Sequence, residues 1–142
     1  MVSNEIAIAQ QEVIDEFSLF DDWMDRYQYI IDLGRRLPEF PDEFRTDEHR
    51  IRGCQSQVWF VPDRRDGRLY FQAISDAAIV SGLIALLLRL YSGRFPQDIV
   101  ETPPDFVSAL QLESHLSPTR SNGLGSMLEA IRGFAEEALE AA

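Results

Sequence analysis

The sequence predicts an α+β fold, a small antiparallel β-sheet packed against several α-helices, in a single domain spanning residues 1–142. Three observations carry that reading. Apolar residues recur at helical spacing before residue 37 and again after residue 76, whereas Val58–Val61 and Leu69–Ile74 are runs of β-forming residues. Asp66-Gly67 stands between the two runs and accepts the positive φ of a tight hairpin turn. The resulting order, helices then hairpin then helices, is an α+β order.

Each element has its own signal. Ile6, Val13, Ile14, Phe17 and Phe20 place a first helix whose opening turns are weakly specified and are expected to fray. Asp22 followed by Asp25 reads as an N-cap and a first-turn acid. Trp23, Tyr27, Ile30, Ile31 and Gly34 then share one helical face, the glycine permits close packing, and Leu37-Pro38 ends the helix. Trp23, Tyr27 and Trp59 are expected in the core. Residues 38–54 form an irregular connection. After the hairpin, Ser75 or Asp76 is the expected cap of an almost wholly apolar helix carrying Leu83, Ile84, Leu86, Leu87, Leu90 and Tyr91, the centre of the core. Ser92-Gly93 stops it. Pro96 opens a short segment through Val100, and a helix containing Phe106, Val107, Leu110 and Leu112 follows Pro103-Pro104. Ser117-Pro118 starts the last helix, whose stripe runs from Leu124 through Met127, Leu128, Ile131, Phe134 and Ala138 to Leu139.

Composition excludes several function classes. The chain holds 24 acidic residues against 13 arginines and no lysine, a net charge of -11, which argues against binding nucleic acid or an anionic membrane surface. The charge is uneven: residues 1–48 carry 13 acids and 4 arginines, 49–100 carry 4 and 7, and 101–142 carry 7 and 2. Only the middle third is positive, and it contains Cys54. The apolar run Ala77–Leu88 is broken by Ser81-Gly82 and falls short of the ~20 residues that span a bilayer. With no signal-like opening segment, a cytoplasmic location is expected. A single cysteine excludes an intrachain disulfide, a CxxC pair and a zinc site built from several thiolates.

Cys54 is the residue with chemistry to offer. Lone cysteines are more often inert and buried, but Gly53-Cys54-Gln55-Ser56-Gln57 lies between an arginine-bearing segment and the first strand, where a turn or loop is expected. Arg50 and Arg52 would favour the thiolate if they approach the sulfur; the alternative is solvated charges paired with Asp47 or Glu48. A phosphatase-type loop needs arginine six residues after the cysteine, where Phe60 stands. A cysteine hydrolase needs a histidine base, and only His49 and His115 are available. One cysteine and two distant histidines make a poor metal set, so no metal is expected. A thiol that accepts a group and passes it on remains. Gln55, Ser56 and Gln57 either satisfy loop backbone groups or cradle the transferred group. Asp76 reads as a helix cap, and Arg120, a cation opposing the dipole in the first turn of the last helix, calls for a structural or partner contact.

The run Arg50-Ile51-Arg52-Gly53-Cys54-Gln55-Ser56-Gln57-Val58-Trp59 closely resembles the SufE family of sulfur acceptors in iron–sulfur cluster biogenesis. Ser75–Val80 with Gly82–Ala85, Pro96–Val100, His115–Leu124, and upstream Asp22-Trp23, Tyr27, Leu33-Gly34 and Leu37-Pro38 resemble the family's other motifs in order. The likeness covers about residues 14–135 and leaves 1–13 as an N-terminal extension. It implies a SufE/IscU-like fold, and it implies that Cys54 takes sulfur as a persulfide from a cysteine desulfurase of the SufS or CsdA type, stimulates that enzyme, and delivers the sulfur to a scaffold such as SufBCD. Pyridoxal phosphate would belong to the desulfurase, and this chain would need no cofactor. Arg50, Arg52, Gly53 and Gln55 would support the thiolate and its loop, while Asp76 and Arg120 are candidates for partner contact. Homodimer formation is left open. The competing readings are a hydrolase using Cys54 and His115, and a non-catalytic desulfurase-binding module. An IscU-like cluster scaffold would need several thiolates.

Overall fold

The computed structural model describes residues 4–141. Helix α1 (Glu5–Phe17) starts on Asn4, whose side-chain oxygen accepts from Ile6 N at 3.0 Å and Ala7 N at 3.1 Å. The Asn4 amide also donates to Thr102 Oγ1 at 2.9 Å. This double anchorage corrects the expectation of a frayed opening: the cap satisfies two orphan N–H groups and ties the helix start to a distant segment. Ile6, Val13 and Phe17 point into the core. Gln10, also buried, accepts from Phe106 N at 2.8 Å and donates to Pro103 O at 3.3 Å. Phe20 lies past the helix and packs against Tyr29 with the rings tilted, their centroids 4.9 Å apart.

Asp22 caps α2 (Trp23–Arg35) by accepting from Asp25 N at 2.9 Å, as its spacing predicts. Trp59 is in the core, but Trp23 and Tyr27 are only half-buried at its margin. The reason is that Ile30 takes the one fully buried place on α2. There the helix crosses α3 (Ala78–Tyr91) so closely that a Cβ on Gly82 would stand 2.1 Å from the Ile30 carbonyl oxygen, and one on Gly34 2.6 Å from Gly82 N. Leu83, Ile84, Leu86, Leu87 and Leu90 of α3 are at most 1% exposed, which makes it the central helix.

Strand β1 (Val58–Arg65) pairs antiparallel with β2 (Arg68–Ser75), in register from Val58 opposite Ser75 to Arg65 opposite Arg68. Asp66 and Gly67 take φ of 53° and 78°, the positive pair required by the tight turn. A two-stranded sheet is marginal by itself; here Phe60, Phe71 and Ala73 bury against the helical core.

After α4 (Pro96–Glu101), the single helix expected over residues 106–112 is instead two, α5 (Asp105–Ala109) and α6 (Leu112–His115), broken at Gln111 with φ 57°. The cause is geometric. Phe106 and Leu110 share a helical face, but Leu112 in the same helix would point away from them, and the break turns all three into the core. Helix α7 (Pro118–Glu140) is capped by Ser117, which accepts from Arg120 N at 3.2 Å. Leu124, Met127, Ile131 and Ala138 are buried as expected, whereas Leu139 is 36% exposed at the helix end.

Glu16 joins three helices. It accepts from Tyr29 Oη and, at 2.7 Å, from Arg89 Nη1, and the guanidinium holds its carboxyl down to about 2. A carboxylate with a depressed folded pKa adds stability above its unfolded value near 4.5, and that contribution fades as pH falls toward 2. With both side chains 35% exposed, solvent screening leaves about 1 kcal/mol. Urea midpoints of wild type and Glu16→Gln are therefore expected to differ at pH 7 and converge near pH 2.

Candidate functional site

The cysteine loop is held at both ends by the sheet. Ile51 N donates to Val58 O at 2.9 Å, and Arg50 bridges to Trp59. At the far end, Gln57 N donates to Asp76 Oδ1 at 3.1 Å and Asp76 N donates to Gln57 O at 3.3 Å. The register explains this: pairing Val58 with Ser75 sets residues 57 and 76 opposite each other. Asp76 accordingly does not cap α3, a correction to the sequence reading. Ala77 occupies the N-cap without a side-chain bond, and Ser75 Oγ accepts from Ala77 N at 3.2 Å.

Between these ends the backbone lies against α7. Gly53 has φ 86°, a conformation that favours glycine, and a Cβ there would displace the Ser126 hydroxyl, whose Oγ stands 2.4 Å away. The half-buried Cys54 thiol donates to the Gly123 carbonyl oxygen at 3.6 Å. A cavity of about 20 Å³ adjoins the sulfur, with Val80, Leu83 and Met127 as its apolar lining and Gln55, Ser56 and Arg120 as polar neighbours. That is room for about one water-sized atom.

The electrostatics differ from expectation. Burial pushes the Cys54 thiol up, with no cation acting in the other direction. Arg50 and Arg52 therefore do not provide the expected thiolate support: neither guanidinium acts on the thiol's acidity and neither hydrogen-bonds the sulfur, whose partner is the Gly123 carbonyl. Nearness in sequence does not become nearness in space here. Of the predicted residues, the structure brings Gly53, Gln55 and Arg120 to the cysteine site, with Asp76 at the loop base. Gly123, Ser126 and Met127 complete the site and went unassigned in the sequence. Their signal was the spacing of Arg120, Gly123 and Met127 on one face of the last helix.

No histidine reaches the thiol cavity. His115 stacks on Trp23 with centroids 4.1 Å apart and sets Nδ1 3.1 Å from Gln111 O, while His49 packs edge-on against Phe44. That geometry removes the base a Cys54 hydrolase would need. Among the described residues, no three His, Cys, Asp or Glu side chains group to hold a metal ion. No helix there is long and apolar enough to cross a membrane.

Comparison with known sequences decides the family. The family described as "SufE: Fe-S metabolism associated domain" matches residues 11–135. The chain belongs to the SufE family. Its relatives include an uncharacterized SufE-like protein of Rhizobium meliloti, 43% identical over 135 residues that cover 92% of this chain and 96% of the other. Another, from Rhizobium etli, is 44% identical over 126 residues and covers 85% of each chain. The solution structure of a hypothetical protein from Thermus thermophilus shares the SufE-like α+β fold, with TM-score 0.76 and 22% identity over 93% of this chain and 96% of that one. Membership of the SufE family assigns the protein a role in Fe–S metabolism. The SufE match begins inside α1, yet Ile6 and Ala9 ahead of it are already part of the core.

Proposed function

We propose that Cys54 accepts sulfane sulfur from a pyridoxal-phosphate-dependent cysteine desulfurase of the SufS or CsdA type, and passes it to a scaffold of the SufBCD type. The observation that carries this reading is a lone thiol beside a partly open space of about one atom, with no histidine in reach and, among the described residues, no metal-ligand cluster. The Cys54 thiolate attacks the outer sulfur of the donor's persulfide, the donor's S–S bond breaks, and its cysteine leaves as a thiolate. Cys54 then carries the persulfide. No net oxidation occurs, and the proton lost by Cys54 balances the one gained by the donor thiolate. The extra sulfur fits the cavity, against the apolar side chains of Val80, Leu83 and Met127.

In the resting protein, burial and donation to the Gly123 carbonyl favour the protonated, unreactive thiol. Docking on the desulfurase lifts the loop and restores ordinary thiol acidity. Exposed Asp76 and Arg120 lie beside the moving segment and meet the partner, and Arg120 supplies the cation for the persulfide anion. The chain works without a cofactor of its own, and binding also stimulates the desulfurase.

Incubation with the cognate desulfurase and cysteine, followed by intact mass measurement, tests this. The expected result is a gain of whole sulfur atoms, removed by reductant and abolished by Cys54→Ser. No gain with the cognate enzyme overturns the carrier assignment. Desulfurase stimulation by Cys54→Ser without any mass gain on the wild type would mark a non-catalytic binding module instead.

A further inference from the structure

We propose that the cavity between the end of α3, α4 and α7 binds a small neutral molecule with an apolar body and one hydrogen-bond acceptor, anchored on the Tyr91 hydroxyl. The space is about 190 Å³, and Tyr91, Ile99, Thr102, Pro104, Leu128 and Ile131 line it. It does not share the thiol's walls: on α7, Gly123 and Met127 face the Cys54 cavity, while Leu128 and Ile131 face this one. The proposal is therefore independent of the sulfur-transfer reading.

Tyr91 is the polar feature that points to a ligand. The residue is 3% exposed, and its hydroxyl makes no hydrogen bond to any of the described residues. No fully enclosed side-chain oxygen or nitrogen among those residues lacks a partner, so this hydroxyl must touch open space, and the space Tyr91 lines is the cavity. Without a protein partner, that hydroxyl is left to water or to a ligand that enters the cavity. A bound acceptor would satisfy it. Burial and the Asp105 carboxylate push Tyr91 up to about 12, so it stays a donor at physiological pH.

The surroundings set the charge of the ligand. The charge of the Asp105 carboxylate acts on the hydroxyl and Glu129 lines the cavity, while Arg132, which also lines it, is paired with Glu136 at 3.2 Å. Anions are disfavoured. A cation would lose its hydration among Ile99, Leu128 and Ile131, a penalty a neutral group avoids. The volume is below that of drug-sized pockets, ~300–1,000 Å³, and suits a single ring.

Cyclohexanone, one ring with one carbonyl acceptor, is the probe. Titrated into the full, methyl-labelled chain, it is expected to give saturable NMR shifts centred on Ile99, Leu128 and Ile131. Tyr91→Phe, which deletes the donor alone, should weaken binding about fivefold. Cyclohexanecarboxylate should bind wild type at least about tenfold more weakly than cyclohexanone. Shifts that do not saturate or that centre elsewhere overturn the proposal, as does unchanged affinity in a folded Tyr91→Phe. If that variant fails to fold, the carboxylate comparison on wild type decides, and equal or tighter carboxylate binding overturns the proposal.

Discussion

Gly82→Ala is expected to destabilise the domain by about 3–5 kcal/mol or prevent its folding, a large share of the roughly 5–15 kcal/mol typical of a domain. The added methyl would meet the Ile30 carbonyl oxygen at 2.1 Å and Ile30 Cγ2 at 2.5 Å. The first obstacle is backbone, so rotamer changes cannot relieve it, and α2 must move off α3. Moving it disturbs Ile30, the fully buried anchor of α2, and the Gly34 contact one turn along. Gly125→Ala is the matched control. It sits in a helix with nothing within 4 Å of the new methyl, so the usual preference for alanine is expected to leave stability unchanged or raise it by up to about 1 kcal/mol. Urea unfolding of both variants checks the pair. Equal losses would show that the close crossing of α2 and α3 is not what holds the core.

Features encoded within a few residues were legible in the sequence. Asp22 and Ser117 cap their helices as their spacing indicates, Asp66-Gly67 makes the hairpin turn, and Gly34 marks a close helix contact. The family likeness was carried by local motifs around Cys54 and was legible for the same reason. What escaped depends on contacts across the chain. Asp76 looks like a cap until the strand register is known, and only then does its partner become Gln57. Gln111 breaks a helix because Phe106, Leu110 and Leu112 must all reach one core. The arginines beside Cys54 suggested an activated thiol, yet the group that touches the sulfur is the Gly123 carbonyl, 69 residues along the chain. Charge proximity along a sequence is a weak guide wherever a loop folds over a helix, because the helix supplies the nearest atoms.

The same fit of loop against helix gives the last prediction. Gly53→Ala is expected to raise the rate of Cys54 alkylation by iodoacetamide about tenfold near neutral pH. Alanine at φ 86° costs roughly 1–2 kcal/mol, and its methyl would stand 2.4 Å from Ser126 Oγ. The loop cannot shed this strain at its ends, where Ile51 bonds Val58 and Gln57 bonds Asp76. Lifting the segment between them relieves the strain, and about 1.4 kcal/mol toward that open form is a tenfold change in its population. The sign of the pH effect follows from burial. In the closed loop, burial raises the thiol pKa, so opening the loop lowers it and shifts the alkylation profile to lower pH. Adding Ser126→Ala removes the hydroxyl contact but neither the 3.3 Å approach to the Cβ of residue 126 nor the backbone strain, and should restore slow alkylation only partly. Wild-type alkylation kinetics in a folded Gly53→Ala would mean that the seat of the loop on α7 does not govern access to the sulfur.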